Sequence, residues 1–241
     1  MNRKKAVKFL TSPMFLQQLQ KTKDLAIGKE SGFYCLFDGN KITLNEPVVG
    51  GDNSIKTHCQ GEEGLIYPEN VGFYEGKDCQ IAVCVHFHPG HGNEKQGIEK
   101  IFASLNDLCL FFSKMNENRN IVSGDSRWLN PINYIGCPDL DQILILQWKE
   151  RLATKDIVPD HFEETAKKLF KKIFGKNLKY NHQFSLGAFP SFISQYPRRY
   201  FMFLDLLGIR YKLLSFPNLS DPESLKGFKF LIQQPQTNLL R

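Results

Sequence analysis

No two of the six cysteines stand in a CxxC arrangement. Zinc ribbons and thioredoxin-type redox centres use that spacing, so neither class is indicated. The cysteines are spread from Cys35 to Cys137, and Cys84 and Cys109 sit inside apolar runs, where a buried thiol behaves as a small hydrophobe. A secretory leader is also lacking: "MNRKK" runs into only a short apolar stretch, which predicts a cytoplasmic protein with reduced thiols. No run approaches the ~20 apolar residues of a membrane span. No groove-reading motif accompanies the net charge of +6, so nucleic acid is not expected as the main partner. No internal repeat is visible.

What the chain does have is an ordinary globular composition, 41% hydrophobic and 23% charged over 241 residues, enough for a sizeable core. "AVKFLT" predicts a strand, and "SPMFLQQLQKTKDLAI" a helix with Ser12 at the cap and Pro13 in the first turn. "SGFYCLFDGNKITLNEPVV" predicts a hairpin turning at Asp38-Gly39-Asn40. The polar stretch from Gly50 to Lys77 reads as loop, with a short strand at "GLIYP". "CQIAVCVHFH" is nearly continuous in apolar residues, the mark of a strand in the middle of a sheet, and it stops at Pro89-Gly90.

"ASLNDLCLFFSKMNEN" predicts a helix opening at Ser104, and "NPINYIGC" and "QILILQWKE" predict two further strands. The expected class is therefore α/β, of the α+β kind, with a central mixed sheet flanked by helices over residues 1–150. Residues 151–241 differ in texture, with an amphipathic basic helix in "DHFEETAKKLFKKIFGKNLK" and then an aromatic-rich stretch broken by Pro190 and Pro197. A mostly helical C-terminal extension of undefined role is expected there.

"CVHFHPGHG" places three histidines close together. His86 and His88 are two apart on a strand, so alternation puts both imidazoles on one face, a workable chelating pair for zinc. A catalytic zinc uses three protein ligands, and Asp107, three residues after Ser104 at a helix start, can supply the third. The same "SLND" equally reads as a capping box serving only the helix. Glu30, just before "SGFYCLF", suits a general base, and equally suits an exposed turn. His91 falls beyond the Pro89-Gly90 turn and is expected to contact substrate or solvent. His58, His161 and His182 have no partners at recognisable spacing.

Taken in order, Glu30 before an apolar strand, "HFHP" at His86 to Pro89 and "SLND" at Ser104 to Asp107 resemble the E…HxHP…SxxD signature of the JAMM (MPN+) metalloproteases. The resemblance covers residues from about 5 to 150. It implies an MPN/cytidine-deaminase-like core in which His86, His88 and Asp107 bind zinc with a water. It implies Glu30 as general acid/base and Ser104 as support for the oxyanion. The implied activity is cleavage of a peptide or isopeptide bond, often after a ubiquitin-like tail, so the implied partner is a protein substrate such as a ubiquitin-like modifier or its conjugate. Two departures are present: Gly90 to Ala103 makes a longer connection than is usual, and Glu30 stands one residue nearer its glycine than in "ExxG". A non-catalytic MPN-like scaffold, and a RadC-like nucleic-acid-associated protein, are the alternative expectations.

Overall fold

The computed structural model describes residues 3–50, 73–74, 77–90, 98–121, 128–150, 159–175 and 197–232. The "GLIYP" strand expectation lies outside them. The opening is a helix pair. Arg3–Leu10 (α1) is helical, where "AVKFLT" predicts a strand. Ala6 and Leu10 are one turn apart and both buried, the spacing of a helix face. Pro13–Leu25 (α2) follows as expected, with the Ser12 hydroxyl accepting the Phe15 N–H at 3.3 Å and Phe15 and Leu19 buried.

Ser31–Phe37 (β1) and Ile42–Leu44 (β2) form the predicted hairpin, and Val48–Val49 (β3) also pairs with β1. Asp38 accepts the Asn40 and Lys41 N–H groups at 2.9 and 2.8 Å, and Gly39 supplies the positive φ of 88° that the turn needs. Phe73–Tyr74 (β4) and Lys77–Asp78 (β5) make a separate two-stranded ribbon. Gln80–Phe87 (β6) lies antiparallel to β1.

The chain then crosses through a 3-10 turn at Ile98–Ile101 and a long helix, Leu105–Ile121 (α3), to Ile132–Gly136 (β7), parallel to β6. Gln142–Trp148 (β8) returns antiparallel. Beyond it come helices Pro159–Phe174 (α4) and Pro197–Leu206 (α5) and a final strand, Ile209–Ser215 (β9). The sheet order is β2-β1-β6-β7-β8-β9, with β3 alongside β1. This is the expected mixed sheet flanked by helices, and the C-terminal segment adds its edge strand, β9, by pairing along the whole of β8.

The two faces of the sheet have separate cores. Phe33, Val83, Val85, Phe87 and Tyr134 pack with α1 and α2 on one side. Ile135, Leu144, Leu146 and Trp148 pack with α3, α4 and α5 on the other. Asn118, fully buried on α3, fixes that helix to the sheet: its Oδ1 accepts the Ile81 N–H at 2.6 Å, and its Nδ2 donates to the Ile81 and Leu129 carbonyls at 2.7 and 2.8 Å. Three backbone groups at the start of β6 and the approach to β7 are satisfied by one side chain.

Candidate metal centre

Alternation along β6 sends Val85 and Phe87 into the α1/α2 core and leaves His86 facing α3, level with Gly32 on β1 and Ile135 on β7. Gly32 has no side chain to cover the ring. His88 lies just past the strand, but its N–H donates to the Gly136 carbonyl at 2.9 Å, so the parallel ladder carries on and the imidazole keeps to the face of His86. Phe87, between them, packs so closely over Gly136 that a Cβ there would come within 2.3 Å of the ring. Only glycine allows that approach.

The two imidazoles converge, with Nε2 atoms 3.2 Å apart. Asp107, in the first turn of α3, sets Oδ1 3.7 Å from His86 Nε2 and Oδ2 3.6 Å from His88 Nε2. One donor atom from each of the three lies within 4.8 Å of the others. The capping-box reading holds as well: Asp107 Oδ2 accepts the Ser104 N–H at 2.6 Å, while Ser104 Oγ accepts the Asp107 N–H at 3.0 Å. The cap aims the carboxylate, and the aimed carboxylate meets the histidines.

His88 is oriented from behind. Its Nδ1–H donates to the Lys100 carbonyl, which leaves Nε2 unprotonated toward the centre when the ring is neutral. Lys100 belongs to the 3-10 turn inside the long Gly90–Ala103 connection, so the second half of that connection supports a site residue. Ala103 is held in turn by the Tyr200 hydroxyl, which donates to its carbonyl at 3.0 Å.

Glu30 reaches the site through a short parallel bridge between Ile27 and Gly90. Gly28 donates to the Gly90 carbonyl at 2.8 Å, and Gly90 to the Ala26 carbonyl at 2.9 Å, tying the residues before β1 to the turn after the histidines. Glu30, His86 and Asp107 all line one cleft between the sheet and α3, with Leu110 and Phe111 as apolar walls and Tyr34, Cys84, Lys114 and Asn133 at its inner end.

The electrostatics suit a cation. Burial holds His86 down to about 4, against the opposing charge of Asp107. Burial also pulls on His88, but the hydrogen bond and charge of Asp107, the charge of Glu30 and the Lys100 carbonyl together raise it. Burial would raise Asp107 as well, yet its imidazole neighbours and Ser104 hold it well below the usual carboxylate range. Without metal, burial biases His86 toward its neutral form, while Asp107 biases His88 toward the charged form that pairs with it. Burial pushes the Cys84 thiol in the same cleft up to about 12, so it is no nucleophile at neutral pH.

Comparison with protein-family models, curated proteins and solved structures found no match. What the site can do therefore follows from its donors. Tetrahedral zinc at bond lengths of ~2.0–2.1 Å holds its ligand atoms about 3.3–3.4 Å apart. The two imidazole nitrogens, 3.2 Å apart, match that spacing. The nearest Asp107 oxygen to each lies slightly beyond it, Oδ1 at 3.7 Å from His86 and Oδ2 at 3.6 Å from His88, and one donor atom from each residue stays within 4.8 Å of the others. Two imidazole nitrogens and one carboxylate oxygen are also the right donor chemistry, so the residues present fit zinc.

His161 is exposed on α4, away from any such grouping, while His58, His91 and His182 lie outside the described residues. Lys167 and Lys168 of the basic run pair with Glu163 and Glu164 along α4, the pattern of a solvated helix face. Two participants are absent from the sequence expectations. The Lys100 carbonyl leaves no sequence signal, being a backbone group. Asn133 does leave one: it is a polar residue between Ile132 and Tyr134 in an otherwise apolar strand.

Proposed function

We propose that this chain is a zinc-dependent hydrolase of the JAMM type that cleaves peptide or isopeptide bonds, with ubiquitin-like tails as the first substrates to try. The observation that carries the reading is the convergence of His86, His88 and Asp107 on one point of a cleft that Glu30 also lines. His86, His88 and Asp107 would hold the metal. When bound, zinc supplies Lewis acidity that polarises the scissile carbonyl and acidifies water.

The remaining roles belong to the chain itself. Glu30 accepts a proton from the attacking water and passes it to the leaving amine, which a carboxylate beside the reacting groups can do in both directions. Ser104 accepts the Asp107 N–H, which leaves its own hydroxyl proton to donate to the developing oxyanion, an interaction worth about 3 kcal/mol in comparable sites. The Lys100 carbonyl keeps His88 in the required tautomer. Leu110 and Phe111 restrict water around the reacting groups.

The test is metal analysis of the purified protein combined with cleavage of a panel of peptide amides and ubiquitin-like conjugates. Stoichiometric zinc, turnover by the wild type, and loss of turnover with retained zinc in Glu30→Gln are the expected results. Zinc without turnover in any member of the panel would favour a scaffold over an enzyme.

A further inference from the structure

Asn133 sits on β7 directly across from Cys84, while His86 is level with Ile135. Residues two apart on a strand share a face and stand about 6.6 Å apart. The Asn133 amide is therefore on the same floor as His86, one pleat further into the cleft, and it lines that cleft. Asn133 is 3% exposed, and its Oδ1 finds no hydrogen-bond partner among the described residues. A buried acceptor left unsatisfied lowers stability, and native proteins contain few of them.

The surroundings restrict what could satisfy it. Leu110 and Phe111 line the way in, which suits an apolar stem. Lys114, 5% exposed, is ion-paired with Glu117 at 2.9 Å, so this end of the cleft carries a balanced pair of charges. A carboxylate tip would accept from Asn133 Nδ2 but has no proton for Oδ1, and an ammonium tip would donate to Oδ1 but has no acceptor for Nδ2. An aliphatic tip would leave the acceptor unsatisfied. A carboxamide meets both requirements: its N–H₂ donates to Asn133 Oδ1 and its carbonyl oxygen accepts from Asn133 Nδ2.

We propose that the inner end of this cleft is a specificity subsite for a substrate residue with a carboxamide side chain, glutamine above all, placed next to the scissile bond. That the ligand is a peptide rests on the hydrolase reading above. The subsite itself rests on Asn133 and its neighbours.

The experiment uses the zinc-loaded 241-residue protein and three capped amino acids: N-acetyl-glutamine methylamide and its glutamate and leucine counterparts. The Asn133 side-chain amide resonance is identified by its loss in Asn133→Leu, then followed as each probe is added. The glutamine probe is expected to move that resonance and to bind about five- to ten-fold tighter than the others, the worth of one net hydrogen bond. Asn133→Leu should erase the preference and melt no lower than the wild type. Equal binding of the three wild-type titrations, an unmoved Asn133 resonance, or an Asn133→Leu variant that melts well below wild type would each overturn the subsite, the last by showing a structural partner. Glutamine preference without cleavage of any peptide would overturn the hydrolase reading alone, and cleavage indifferent to glutamine would overturn the subsite alone.

Discussion

Asp107 caps α3 and, on the reading above, binds metal; two substitutions separate these tasks. Asparagine keeps an oxygen to accept the Ser104 N–H but has no charge, whereas alanine keeps neither. Both lose the charged pairing with His88, so that loss cancels when they are compared with each other. What remains is the cap, worth about 1 kcal/mol. In chelator-treated protein, Asp107→Ala should therefore be about 1 kcal/mol less stable than Asp107→Asn, a difference of about 2–4 °C in Tm for a chain of this size. Zinc follows another rule. Either variant removes the one anionic donor of the three, and both should lose more affinity than the 10–100-fold that outer-shell changes cost. Zinc content after gel filtration and competition with a chromophoric chelator measure this, and thermal unfolding in chelator measures the cap. An Asp107→Asn protein that kept wild-type zinc affinity would refute the ligand assignment. Equal stabilities of the two variants in chelator would refute the cap.

Gly136→Ala should destabilise by about 1–3 kcal/mol, because the added methyl runs into the Phe87 ring, and should weaken zinc binding by displacing His88; unfolding and zinc titration of the same sample check both. Asn118→Leu should cost about 3 kcal/mol or more, since it orphans the Ile81 N–H and the Ile81 and Leu129 carbonyls, and a variant within 1 kcal/mol of wild type by denaturant unfolding would contradict it. In the metal-free chain, His86 is held at about 4 against an ordinary 6.5, so the unfolded state takes up that proton first. Its contribution is complete above pH 6.5 and is lost as pH falls toward 4, by up to about 3 kcal/mol, while His88, raised, acts in the opposite sense and fades as pH rises. His86→Gln should flatten the acid side of the stability curve, and parallel curves for the two proteins would rule this out.

Much of the architecture was legible because its signals are local. The apolar run of β6, the Asp38-Gly39-Asn40 turn and the Ser12-Pro13 helix start each announce their element within a few residues. α1 misled because "AVKFLT" is too short a span to reveal the Ala6–Leu10 pairing that decides the matter. β9 was hidden in an aromatic-rich tail, since a strand recruited by β8 from far along the sequence is selected by its partner and not by its own pattern. At the site, the grouping of His86, His88 and Asp107 followed from period-two alternation and a helix start. The support of His88 by a backbone carbonyl from a long connection, and the unsatisfied amide of Asn133, depend on contacts that spacing alone does not express.

Metal held by the triad as proposed would also tether the chain. His86 and His88 close the strand before the crossover, and Asp107 opens the helix that follows the long connection. A metal gripping all three would close the intervening segment into a loop, as a crosslink does, and would restrict the unfolded ensemble only where it can bind. An ion that binds the native crossover adds RT ln(1 + [L]/Kd) to its stability, about 2.7 kcal/mol at one hundred times Kd. If the three residues bind metal as proposed, the crossover between β6 and β7 is where that stabilisation would act, and the protease resistance of the protein should rise and fall with free zinc.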